Sequence, residues 1–116
     1  MERLLTELRE FVRERDWEQF HDPKNLAMCL ASEVGELLAE YRWIKNEDAD
    51  QASVDLQRRE RITEELGDVG IAWALLCDRL GLDPVYVVRV KLDANRLKYP
   101  TKMSRGKPDR PTGPGI

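Results

Sequence analysis

The sequence has one histidine, His21, and two cysteines, Cys29 and Cys77, which form no CxxC. So small a supply of nitrogen and sulfur ligands speaks against a zinc site. The two cysteines sit in apolar helical surroundings and are expected to be buried, reduced thiols. Glycine and proline are sparse before residue 99, so little in that stretch breaks a helix. Long apolar runs are missing too. The longest, Val69 to Cys77, is about half of what a membrane span needs. The first ten residues, MERLLTELRE, carry charge from the second position on, which fits neither a signal peptide nor an anchor. Charge of one sign is not in large excess. A net charge of −3 gives no whole-molecule attraction to a nucleic acid polymer or an anionic membrane. A negatively charged partner therefore needs a local basic patch or a bridging cation. These absences describe a soluble cytoplasmic protein, and 116 residues are enough for one modest core.

What is present is helical periodicity. Leu4, Leu5, Leu8, Phe11 and Val12 recur at helical spacing, predicting a first helix over residues 2–16. Asp22 before Pro23 is a cap followed by proline at the first helical position. A second helix is predicted from there to about Asn46, with Leu26, Leu30, Val34, Leu37, Leu38 and Tyr41 inward. The acidic stretch NEDADQAS reads as a turn. A third helix is predicted from Ser53 to Leu80, with a stripe of Ile62, Leu66, Val69, Trp73, Leu76 and Leu80, and Gly81 as its stop. Asp83-Pro84 repeats the cap-and-proline start for a fourth helix through Lys98. The fold class is all-α: a four-helix domain over residues 1–98 and a basic Pro/Gly-rich tail, extended or disordered, over residues 99–116. VGIAWALLC in the third helix is apolar all round, more than four short helices can cover, so assembly with other subunits is expected.

Two acid pairs then need explaining. SEVGEL carries Glu33 and Glu36; EELGDV carries Glu65 and Asp68. Pairs three apart are cheap, since 22 acids in 116 residues give about four by chance, and an acidic helix face is by default solvated. Environment separates these two from the rest. Glu33, Glu36 and Asp68 have no Lys or Arg three or four positions away, and Glu65 has only Arg61. If the second and third helices pack together, four carboxylates converge, and each raises the pKa of the others unless a cation sits among them. An all-oxygen site suits Mg²⁺ or Mn²⁺, with room left for substrate phosphate oxygens. A polar network between helices is the other reading of the same residues. A carboxylate-bridged di-iron centre fits worse, because it requires Glu-x-x-His motifs and His21 lies in a loop.

ExxE at Glu33 and Glu36, followed by ExxD at Glu65 and Asp68 on the next helix, resembles the MazG-like all-α nucleoside triphosphate pyrophosphohydrolases. Within them, RDWEQFHDPKNL, SEVGEL, YRW, EELGDV and KLDANRLKYP followed by SRGK look most like the dCTP pyrophosphatases, over residues 4–107. The resemblance implies hydrolysis of a deoxynucleoside triphosphate (dCTP or a modified relative) to monophosphate and pyrophosphate, as nucleotide-pool sanitation. It also implies Mg²⁺ held by Glu33, Glu36, Glu65 and Asp68 as catalytic residues, and a homotetramer, with a dimer as the lesser possibility. Trp17 and Trp43 match base-holding aromatics; Lys91, Asn95, Arg96 and Tyr99 match positions near phosphates and sugar. These roles suit the residue types, since an indole stacks on a base and cationic side chains meet a triphosphate. Two positions depart from close relatives: Ala72 stands where they carry tyrosine and Leu8 where they carry histidine. Both lie around the expected base pocket, which puts cytosine preference in doubt and leaves room for a modified base. The same chemistry on other triphosphates, such as dUTP or dATP, and a non-catalytic helical binding module are the competing functions.

Overall fold

The computed structural model describes residues 1–108; the end of the expected tail, 109–116, lies outside the described residues. The described residues contain no strand. The helices are α1 (Glu2–Glu14), α2 (Pro23–Ala39), α3 (Ala49–Ser53), α4 (Leu56–Arg79), α5 (Pro84–Lys98) and α6 (Thr101–Ser104), with 3-10 turns at Glu18–Phe20 and Asn46–Asp48. The chain divides into two compact units, Met1–Gly81 and the residues from Leu82 on.

Aspartates start the three longest inner helices. The Asn25 N–H donates to Asp22 Oδ1 at 2.9 Å, the Arg58 N–H to Asp55 Oδ2 at 3.1 Å and the Tyr86 N–H to Asp83 Oδ2 at 2.8 Å. Pro23 and Pro84 follow two of these caps at the first helical turn, where a missing N–H costs nothing. Gly81, at φ +69°, ends α4 in the left-handed region that glycine enters without penalty.

In the first unit α2 packs along α4, and α1 and α3 also rest on α4. Leu5, Val12, Leu26, Ile62, Ala72, Ala74 and Cys77 are buried there. Burying one leucine such as Leu26 contributes about 1.5–3 kcal/mol. Arg9 on α1 reaches Asp78 on α4 with two donors, at 2.9 and 2.6 Å, and so joins the two helices at their far end.

Several expectations are corrected. Helix α2 stops at Ala39 rather than near Asn46, because the Glu40, Tyr41 and Arg42 N–H groups turn back onto Leu37 and Leu38. The acidic linker is not a bare turn but a 3-10 turn and α3, pinned where the Tyr41 and Ser53 hydroxyls meet at 2.8 Å. Of the predicted α4 stripe, Ile62 is buried while Leu66 and Leu80 are exposed; the small residues Ala72 and Ala74 take the inner face. Within the run from Val69 to Cys77, apolar on every side, periodicity cannot choose a face; Leu66 and Leu80 flank that run. In the expected tail, Met103 and Ser104 donate to the Pro100 carbonyl and close one helical turn, α6. One turn is too short to leave an apolar period in the sequence.

Candidate functional site

The packing of α2 on α4 places the two acid pairs together. One carboxylate oxygen from each of Glu33, Glu36 and Glu65 lies within 4.8 Å of the others. Asp68 stands outside this trio but beside it: its charge acts on both Glu33 and Glu65, and it shares a cavity wall with Glu33. Desolvation, then the charges of Asp68 and Glu36, raise the Glu33 carboxyl above its ordinary range. Desolvation also leads for Glu65, followed by Glu36, Asp68, Glu33 and Glu40, and the direction is again upward.

No ion pair within residues 1–81 relieves this crowding. Arg61, the single base one turn from Glu65, turns instead to Glu40, reaching its two carboxylate oxygens at 3.1 and 3.3 Å. Arg58 approaches the same carboxylate at 3.7 Å. Glu40 thus engages both arginines, Arg61 through its carboxylate and Arg58 chiefly through its backbone carbonyl at 2.5 Å, a role that spacing alone does not reveal. Glu65 Oε2 is buried and has no hydrogen-bond partner. An unpartnered buried carboxylate oxygen is costly unless something cationic meets it. A set of three or four carboxylates, without imidazole or thiolate, matches a hard divalent cation such as Mg²⁺ or Mn²⁺. The residues present thus fit the ion that the resemblance implies.

Beside the acids lies a cavity of about 410 Å³, with apolar walls that include Leu8, Phe11, Trp17, Ile71 and Ala72, and with Glu33 and Asp68 also in its lining. Trp17 is 41% exposed and meets Phe11 edge-on, ring centroids 5.7 Å apart. Cys29 also lines this cavity and is exposed rather than buried, which corrects the expectation; Cys77 is buried. Desolvation and the neighbouring Glu33 and Asp68 charges push the Cys29 thiol upward, away from thiolate. His21 is another member of the wall.

The other candidates are placed differently. Trp43 follows α2, is 89% exposed, and is not among the cavity-lining residues. Lys91, Asn95 and Arg96 are on α5 and Tyr99 is its C-cap, all in the second unit. Arg96 pairs with Asp93 at 3.0 Å on an exposed face.

The MazG-like family matches residues 28–107, a span that includes both acid pairs. Bovine dCTP pyrophosphatase 1 is 41% identical over 97 residues, covering 84% of this chain and 57% of the bovine protein. The human dCTP pyrophosphatase 1 is 40% identical over 96 residues, with 83% and 56% covered. The chain thus spans little more than half the length of these relatives. A crystal structure of a pyrophosphatase from Archaeoglobus fulgidus superposes with a TM-score of 0.80 at 38% identity, covering 86% of this chain and 92% of that one. A family match across most of the chain, a shared fold and two acid pairs on facing helices lead to one conclusion: the chain belongs to the MazG-like family.

Proposed function

We propose that this protein hydrolyses a deoxynucleoside triphosphate to its monophosphate and pyrophosphate in a reaction dependent on Mg²⁺, with Mn²⁺ as a substitute. The observation that carries the reading is the trio of Glu33, Glu36 and Glu65 oxygens within 4.8 Å, with no base among them. Glu33, Glu36, Glu65 and Asp68 hold the metal. When bound, the ion supplies Lewis-acid chemistry, neutralising phosphate charge and lowering the pKa of water. Glu40 keeps Arg58 and Arg61 turned away, so the acids remain open to a cation.

The adjacent cavity takes the base. Its apolar walls suit a base, and Trp17 offers an aromatic face for stacking, a contact worth about 1–3 kcal/mol per base. The family resemblance supports dCTP or a related deoxynucleoside triphosphate as the substrate class, while Leu8 and Ala72, which offer no hydrogen bond that selects cytosine, leave room for a modified base. Trp43, Lys91, Asn95, Arg96 and Tyr99 are the candidates for the remaining base, phosphate and sugar contacts, on the strength of the family resemblance. The same reading includes a homotetramer on the strength of the family resemblance; Leu38 and Leu66, 59% and 53% exposed, leave apolar surface for a neighbouring subunit.

A panel of canonical and base-modified nucleoside triphosphates, with and without Mg²⁺ and with products separated chromatographically, tests the reading. Equimolar monophosphate and pyrophosphate is the expected result. Diphosphate with orthophosphate means that another bond is cut. No turnover of any substrate, together with unchanged Mg²⁺ affinity in Glu36→Gln, leaves a helical binding module as the better description.

A further inference from the structure

A second cavity, of about 290 Å³, lies beside the first one and adds charged side chains to an apolar wall of Val12, Leu26 and Leu75. Three guanidinium groups surround it, Arg9 and Arg13 from α1 and Arg79 from the end of α4, together with His21, Glu18 and Asp78. Its volume is near the lower end of small-ligand sites, about 300–1,000 Å³.

The three arginines are not equally engaged. Arg9 is held by Asp78 through two hydrogen bonds at 2.9 and 2.6 Å. Arg13 approaches Glu18 only at 3.8 Å, beyond hydrogen-bond range. Arg79 donates one long bond, 3.4 Å, to the Glu18 backbone carbonyl. A guanidinium has five donors in a planar fork, so most of the donors of Arg13 and Arg79 are left for a ligand. Three arginines against two carboxylates leave a positive excess inside a protein whose net charge is negative. Fork-shaped donors converging on a small cavity suit a tetrahedral oxyanion, which accepts bidentate pairs. Glu18 and Asp78 interrupt the positive surface, so there is no continuous track for a nucleic acid strand.

We propose that this pocket binds a small phosphoryl oxyanion, inorganic phosphate or pyrophosphate, at a site separate from the four acids on α2 and α4. Val12, His21, Leu26 and Leu75 line both cavities, so an anion held here stands against the back wall of the apolar one. His21 is the chain's single histidine, and its ring resonances report occupancy without interference from another imidazole.

The test is titration calorimetry of the full chain with sodium pyrophosphate and, separately, sodium phosphate, in EDTA at constant ionic strength, followed in parallel by the His21 ring signals. EDTA removes divalent ions, so the outcome does not depend on whether the acids carry metal or the chain turns over a nucleotide. Saturable binding of one anion per chain is expected, with pyrophosphate at least threefold tighter than phosphate. Arg13→Gln and Arg79→Gln each weaken it tenfold or more, while Glu65→Gln leaves it within twofold. Far-UV circular dichroism and thermal melts of the two arginine variants check that they remain folded. The proposal is overturned if wild type responds no more than to sodium chloride of equal ionic strength. It is equally overturned if binding persists in both arginine variants, or is lost in Glu65→Gln.

Discussion

Glu40→Gln separates the acids' openness to metal from the acids themselves. Glu40 is a half-turned guard: its side chain is 16% exposed and accepts from Arg61 at 3.1 and 3.3 Å, with Arg58 at 3.7 Å. The amide keeps the shape and one acceptor but loses the charge. A charge-assisted hydrogen bond is roughly twice as strong as a neutral one, so the substitution costs about 1 kcal/mol of stability. For a domain of this length that lowers Tm by about 3–5 °C. The second effect falls on the metal. Arg61 is four residues before Glu65 on α4, within side-chain reach along one helix face. Released from Glu40, it turns toward the unpaired acids and competes with the cation, raising the Mg²⁺ midpoint about twofold, a shift on the scale of helix pair interactions. Thermal melts and Mg²⁺ titration of the metal-free protein measure the two effects separately. Adding Arg61→Gln to Glu40→Gln removes the competitor and returns the Mg²⁺ midpoint toward wild type, whatever happens to Tm. A double variant as weak in Mg²⁺ binding as Glu40→Gln alone refutes the guarding role of Glu40. So does a single variant whose midpoint does not move.

Removing one of the acids has the opposite signature on stability: Glu36→Gln is expected to lower turnover at least a hundredfold and weaken Mg²⁺ binding, yet leave the Tm in EDTA unchanged or higher, because a repelling charge is gone. The raised carboxyls of Glu33 and Glu65 give a pH dependence of definite sign. Between their ordinary value of 4.5 and their raised folded values, the folded chain binds more protons than the unfolded one, so stability falls as pH rises through that window. The penalty is absent below the ordinary value and fully present above the folded one; melts in EDTA across this range measure it, and Mg²⁺, which binds the deprotonated acids, reverses the slope. Ala72→Tyr fills part of the apolar cavity, so kcat/KM for deoxynucleoside triphosphates with bulky base substituents is expected to fall at least tenfold relative to the unsubstituted ones. Asp22→Ala removes the cap of α2 and costs about 1 kcal/mol, read as a lower urea midpoint at unchanged m-value.

How much of this site was legible in the sequence depends on whether a feature is local. The caps at Asp22 and Asp83 and the stop at Gly81 are set by a few neighbouring residues, and they read directly from Asp-Pro and from glycine after an apolar period. The acid pairs were legible as pairs, since residues three apart share a helix face, and the absence of nearby bases marked them out. Their meeting depends on which faces of α2 and α4 pack. In the all-apolar stretch of α4 every face looks alike, so the stripe put Val69, Trp73 and Leu76 inward although Ala72, Ala74 and Cys77 are the buried residues there. The same ambiguity hid Cys29, which a count of apolar neighbours places inside but which lines an open cavity against Glu33.

Arg61 shows the limit most clearly. By spacing it belongs to Glu65, one turn away, and on an isolated helix that pair would form. In the fold a carboxylate from another segment, Glu40, twenty-one residues earlier in the chain, offers two oxygens and takes the guanidinium. Glu65 is left with a buried oxygen that nothing satisfies. Spacing along α4 would let Arg61 serve Glu65. That it serves Glu40 instead keeps the negative charge uncompensated where α2 and α4 meet, which is the condition a divalent cation requires and a simple polar network between helices does not.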